Sequence, residues 1–269
     1  MISDTMRQQY RDEGYFVLES ALPAEDLEVL RRECDEGVEE QTRRMEADRV
    51  ESFSIQKYKY LYFVGNRSQD PARAELRQVI FSDLLADICR ATIGPNVWLF
   101  CENFVVKFSQ TDSNFNWHQD AAYVGHANVP SYVNCWIALD DVSPRNGTLS
   151  VMPYSRAGSR DLLPHTQDGE LLIGYSGDDP GTGIVAPAGS IAIFSSTTLH
   201  CSGANRTTHP RRIYAVQFSS APVPDASGAK AQNMAVPFLR NSRIISDPTV
   251  TPRPVGDALR DDEKHPQSA

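Results

Sequence analysis

Trp117-His118-Gln119-Asp120 places an imidazole and a carboxylate two residues apart. In an extended strand, residues i and i+2 point to the same face, so a strand or strand end here aims His118 and Asp120 at one point. Converging donors of this kind suit a divalent metal. For the two residues alone, a hydrogen-bonded pair on a surface loop is the plainer alternative, and a third donor decides between them.

His200 is that donor, in Ser195-Ser196-Thr197-Thr198-Leu199-His200-Cys201-Ser202-Gly203. It follows an apolar strand, Ile191-Ala192-Ile193-Phe194, which the turn Pro187-Ala188-Gly189-Ser190 sends back through a sheet. Two histidines and one carboxylate leave half of a metal's coordination sphere open, as in non-haem iron(II) oxygenases. Structural zinc wants four protein ligands, usually thiolates. Only Cys201 is close in sequence, and in a strand it points away from His200.

Eleven residues on, Arg211 opens Arg211-Arg212-Ile213-Tyr214-Ala215-Val216-Gln217-Phe218. A guanidinium fork at a strand start suits a two-point carboxylate contact. A dicarboxylate co-substrate would chelate the metal at one end and meet Arg211 at the other. Arg212 faces the opposite side; the alternative makes Arg212 the anchor and Arg211 a solvated charge.

These residues need a scaffold that brings distant segments together. Residues 4–13 read as a short helix ended by Gly14, and Tyr15 to Leu18 as a strand. Pro23, Asp26 and Glu28 open a longer helix, with Leu27, Leu30, Cys34 and Val38 at helical spacing into the mid-forties. Residues 52–63 read as an aromatic-rich strand and 66–71 as a loop. A second helix is predicted from Ala72 to Thr92, ended by Ile93-Gly94-Pro95-Asn96. From Val97, short β-like runs alternate with turn-formers such as Pro-Arg-Asn-Gly, the pattern of a sandwich or jelly roll.

Composition narrows the class. At 269 residues, 41% hydrophobic and 23% charged, the chain can bury one large core. A net charge of -9 without a basic run excludes a nucleic-acid partner, and no stretch reaches membrane-spanning length. Five scattered cysteines without a C-x-x-C pair, and no apolar leader, point to a reducing, cytoplasmic setting.

From about Tyr10 to Ser219 the chain resembles the phytanoyl-CoA dioxygenase-like iron(II)/2-oxoglutarate oxygenases. The resemblance rests on Gly14-Tyr15, Gly94-Pro95-Asn96, Trp117-His118-Gln119-Asp120, Asn146-Gly147, His200-x-Ser202, Asn205, Thr207 and Arg211. It implies a mainly β protein with flanking α-helices around a double-stranded β-helix, the jelly-roll or cupin-like core. A single oxygenase domain would span 1–269: a mostly helical part (1–95), the jelly roll (96–220) and a C-terminal arm (221–269). His118, Asp120 and His200 would bind iron(II), and Arg211 the far carboxylate of 2-oxoglutarate, with dioxygen as second co-substrate. Trp136, Ser202 and either Asn103 or Lys107 would complete the co-substrate site; ordinary packing or hydrogen bonding is their alternative. An upstream lysine would be Lys57 or Lys59.

Gln119 is kept as a co-substrate candidate, against a backbone-bracing amide. Phe115, Trp117 and Tyr123 flank the metal and would line the substrate pocket. His126, His165, His209 and His265 lack a spacing partner and read as surface or loop residues. The expected reaction hydroxylates an unactivated C–H bond of a small molecule, with release of succinate and carbon dioxide. Related halogenases resemble the pattern but carry a small residue where this chain has Asp120, which favours hydroxylation over halogenation. Desaturation, epoxidation and ring closure share the same site. A cupin-like metalloenzyme or a relic binding protein are the other classes; the first would not need Arg211, the second usually loses a ligand. The assembly would be a monomer or homodimer.

Overall fold

The structure is a computed structural model, and it describes residues 2–47, 62–109, 114–125, 129–169 and 171–245. Residues 52–61 of the expected aromatic strand, Lys57 and Lys59, His126 and His265 lie outside the described residues.

Helix α1 (Asp4–Glu13) starts at a Ser3 cap, whose side chain accepts from the Met6 N–H, and ends at Gly14 with φ 81°. Strand β1 (Tyr15–Leu18) follows, then helix α2 (Ala24–Ala47). The helix expected over 72–92 is two, α3 (Ala74–Ile80) and α4 (Asp83–Thr92). Ser82 interrupts it: its hydroxyl caps the Leu85 N–H and restarts the helix in a new direction.

The remaining strands, in chain order, are β2 (Tyr62–Gly65), β3 (Val97–Lys107), β4 (Phe115–His118), β5 (Tyr132–Ala138), β6 (Leu149–Val151), β7 (Thr166–Asp168), β8 (Leu171–Ile173), β9 (Thr182–Gly183), β10 (Ile191–Ser195), β11 (His200–Ser202), β12 (Arg211–Ser219), β13 (Val236–Arg240) and β14 (Arg243–Ile244). The large antiparallel sheet runs β1-β10-β5-β12-β3-β13-β14, with β2 also on β3. The small one runs β4-β11-β6-β9. The curled pair is the expected jelly roll. Val236–Arg240, expected within an arm, instead pairs with β3. Its Pro237 and short apolar run hid the strand.

Alternation divides the large sheet's two faces. Val133, Cys135, Ile137, Tyr214, Val216 and Phe218 pack outward into the main core with the helices. Trp136, Ala138, Ile213, Phe194 and Ala192 face inward, against Leu149 and Val151 of the small sheet. The polar residues of the site occupy inward positions on the same strands. Gly14 ties the helical layer to that interior: its carbonyl accepts from the Ser195 N–H and the Thr198 hydroxyl. A Cβ at Gly14 would lie 2.5 Å from Thr198 Oγ1, two residues before His200.

Candidate metal centre

β4 ends on His118, and the chain enters a 3₁₀ turn, Asp120–Val124, after an extended Gln119. That one extended residue carries the alternation past the strand end, so Asp120 turns to the face of His118. His200 opens β11 directly opposite His118. The two ring centroids are 4.2 Å apart, and Asp120 Oδ1 is 3.5 Å from each Nε2. The three donor atoms lie within 4.8 Å of one another, a group able to hold a metal ion.

Each imidazole is fixed from behind. His118 Nδ1 is 2.7 Å from the Asn116 carbonyl, and His200 Nδ1 3.0 Å from that of Thr198. A carbonyl only accepts, so Nδ1 carries the proton and Nε2 offers its lone pair to the centre. Burial lowers the pKa of His118, and His200 adds to the shift. Burial opposes charge at Asp120 too, but the His200 and His118 imidazoles hold its carboxyl far below the ordinary range. At His200 burial is outweighed by Asp120, and the pKa rises.

Further along the inner wall, Arg211 opens β12 opposite Lys107 at the end of β3. Both are buried, at 1% and 0% exposure. Arg211 Nη2 donates to the Gly147 carbonyl at 2.9 Å, and the guanidinium lies 5.7 Å from the Trp136 ring centroid. Its Nε and Nη1 are buried and have no hydrogen-bond partner among the described residues. Burial pushes its pKa down to about 10. Lys107 Nζ donates to the Ser202 hydroxyl at 2.8 Å and to the Ser202 and Gly203 carbonyls. An uncompensated charge in such a place costs several kcal/mol (of order 3–5 where a partner has been removed). Two guanidinium nitrogens left without acceptors beside a three-donor cluster therefore fit an anionic, metal-chelating co-substrate. Arg212, on the outer side, pairs with Asp140 and Asp35, which leaves Arg211 as the inward residue.

The sequence profile of the phytanoyl-CoA dioxygenase family matches residues 10–213. The chain belongs to that family. A probable alpha-ketoglutarate-dependent hypophosphite dioxygenase from Stutzerimonas stutzeri is 25% identical over 235 residues, covering 80% of this chain and 78% of the relative. The solved apo structure of the non-haem monooxygenase ThoJ superposes with a TM-score of 0.67 at 19% identity, covering 96% of this chain and 92% of that one. The epimerase SnoN, solved with Fe3+, alpha-ketoglutarate and a nogalamycin compound, gives 0.62 at 19% identity, over 91% of this chain and 96% of that one. With family membership goes an enzyme class, that of the non-haem, 2-oxoglutarate-dependent oxygenases.

Several family positions are braces for the site. Asn205 donates to the Lys107 and His209 carbonyls and accepts from Thr207, closing the turn that leads into Arg211. Gly147, at φ 76°, offers its carbonyl to Arg211; a Cβ there would lie 2.3 Å from the Gly203 oxygen. Asn103 shares the inner face with Lys107, opposite Ala215. Trp136 lies against Arg211 and Ser202 against Lys107.

Gln119 is corrected. Its amide donates to the Asp161 and Thr197 carbonyls and accepts from the Leu163 N–H, so it braces the loop and turns away from the cavity. His165 joins that brace, with Nε2 accepting from the Gln119 N–H. The three aromatic candidates separate. A register shift against β11 pairs Phe115 with Ser202, and this bulge swings Phe115 toward the site, 5.5 Å from Lys107 Nζ and 6.1 Å from the His118 ring. Trp117 alternates away from the metal and packs edge-on to Tyr175. Tyr123, 40% exposed, stands edge-on to His118, with its hydroxyl accepting from the Leu172 N–H. Asn134 and Gln217, which the sequence reading passed over, reach Asp120 directly. Both are inward-facing polar residues inside apolar strands, and period-two spacing from Trp136 and Arg211 finds them.

Proposed function

We propose that the protein is an iron(II)- and 2-oxoglutarate-dependent dioxygenase that hydroxylates an unactivated C–H bond of a small molecule, with release of succinate and carbon dioxide. The observation that supports this most is the coupling of an open three-donor cluster to a buried guanidinium with Nε and Nη1 unpartnered. His118, Asp120 and His200 would hold the metal, and Arg211 the far carboxylate. Bound iron(II) supplies dioxygen activation, coupled to oxidative decarboxylation of the co-substrate. The chain's own residues do the rest. The His118 and His200 Nδ1 protons stay on their rings, donated to the Asn116 and Thr198 carbonyls, Trp136 walls the guanidinium, and Phe115 shields Lys107 from water. Asp120 fills the position where a halide would sit, which favours hydroxylation.

A cleft of about 400 Å³ begins at Phe115 and Ser202 and runs past Trp117, Cys201, Ile173 and Tyr175. None of the described residues that line it is charged, so a neutral, partly apolar substrate suits it better than a coenzyme A phosphate. Among the described residues no helix is long and apolar enough to cross a membrane. All five cysteines are free thiols, which fits the cytoplasm.

Anaerobic addition of iron(II) and 2-oxoglutarate is expected to produce a visible metal-to-ligand absorption, and admission of air to release succinate. A protein showing neither would be a jelly-roll metalloenzyme of another kind.

Co-substrate binding should also depend on pH. Three acceptors around Lys107 Nζ favour the ammonium, while burial and Arg211 push its pKa down to about 6 from 10.5. A bound dianion restores the proton, so binding takes up protons and affinity falls as pH rises above about 6. Without co-substrate the unfolded chain binds the extra proton between these values, so stability rises with pH across that window. Lys107→Met should flatten both slopes, as calorimetry in buffers of different ionisation heat would measure; unchanged slopes would leave Lys107 no part in binding.

A further inference from the structure

Asp120 Oδ1 faces the two imidazoles; Oδ2 faces the large sheet, and two amides meet it. Asn134 Nδ2 donates to Oδ2 at 2.7 Å and Gln217 Nε2 at 3.2 Å. Gln217 Nε2 also donates to Asn134 Oδ1 at 2.5 Å. That third bond fixes the Asn134 amide, because its oxygen is occupied by Gln217 and only its nitrogen can turn to Asp120. The two residues are register partners on β5 and β12. Their outward neighbours Val133, Cys135, Val216 and Phe218 are fully buried, so neither can shift alone.

We propose that Asn134 and Gln217 are positioning residues that keep Asp120 a one-oxygen ligand. A carboxylate binds a cation through one oxygen or both. Three protein donors and a chelating co-substrate would leave one position of a six-coordinate metal open for dioxygen. If Oδ2 swung onto the metal it would fill that position. Two neutral N–H donors hold Oδ2 back without cancelling the carboxylate's charge, as a guanidinium or ammonium there would. The inference rests on the proposed metal site and adds a device that holds its last position open.

The test uses near-isosteric changes that delete only the donors, Gln217→Met and Asn134→Leu, in the full-length protein loaded with Co(II) alone. The visible spectrum of bound Co(II) reports its ligand set and geometry. Both variants are expected to bind Co(II), to show visible bands shifted from the parent's as Oδ2 replaces a water, and to release succinate roughly ten- to a hundredfold more slowly with iron(II). The KM for 2-oxoglutarate should stay as in the parent, since Arg211 is untouched. Unchanged spectra and unchanged turnover in folded variants would overturn the proposal. Gln217 is the less buried of the pair, so Gln217→Met decides the matter alone if Asn134→Leu does not fold. A parent protein that binds no Co(II) would instead remove the metal site itself, and this proposal with it.

Discussion

Arg211→Met is expected to weaken 2-oxoglutarate binding by about 3 kcal/mol, roughly two orders of magnitude, and yet to make the protein more stable when no co-substrate is present. Both halves follow from one arrangement. Arg211 is 1% exposed, and its hydrogen bond from Nη2 to the Gly147 carbonyl leaves Nε and Nη1 without an acceptor among the described residues. Burial has already moved its pKa down to about 10, with only Asp140 opposing that shift. Folding alone gains nothing from such a charge, and methionine fills much of the same volume beside Trp136 without it. Replacing buried ionic groups by apolar ones commonly stabilises a protein by about 1–4 kcal/mol. Co(II) affinity should be unchanged, because the His118–Asp120–His200 donors do not touch Arg211. Thermal melts with and without co-substrate, beside a KM measurement, check all three statements. If Arg211→Met melted lower than the parent without co-substrate, the guanidinium would be part of the fold's support rather than a docking point.

The sequence carried the metal donors and Arg211 because each obeys a short-range rule. His118 and Asp120 share a face by period-two spacing, and the structure keeps that spacing even though Asp120 already belongs to a 3₁₀ turn. Arg211 and Arg212 divide between inside and outside by the same parity. The approach of His200 to His118 is a tertiary fact, and the family resemblance supplied what local pattern could not. The misreadings have local causes as well. One residue, Ser82, split a helix whose periodicity looked continuous. Phe115 reaches the site by a route alternation does not give: three residues from His118 it belongs on the far face, and the bulge against Ser202 returns it. Gln119 sits beside the donors in sequence and on the other side of them in space, whereas Trp117, which also alternates away from the metal donors, lines the cleft beside Phe115. Asn134 and Gln217 were legible in principle, as polar residues at inward positions of β5 and β12, but nothing in the sequence says which strands lie next to Asp120.

Asp120→Ala is the most severe single change the site allows. It removes the only anionic donor, and turnover should fall by roughly a thousandfold or more, beyond the 10- to 100-fold typical of residues that act through a ligand. Bound Co(II) should be lost with it, since two neutral imidazoles 4.2 Å apart, centroid to centroid, are left as the whole donor set. The change also takes the acceptor from the Asn134 amide N–H, at about 1–3 kcal/mol for a buried group, while Gln217 keeps its bond to Asn134 Oδ1. A melting curve must therefore accompany the assay. The pH dependence separates the two effects. Asp120's pKa is lowered in the folded protein, so its contribution to stability is present above the ordinary carboxylate value of 3.8 and is lost as the pH falls below it. Asp120→Ala should erase that part of the acid transition while leaving the melt near neutral pH cooperative. Undiminished succinate release from Asp120→Ala would mean that a different carboxylate completes the metal site, and His118 and His200 would need another partner.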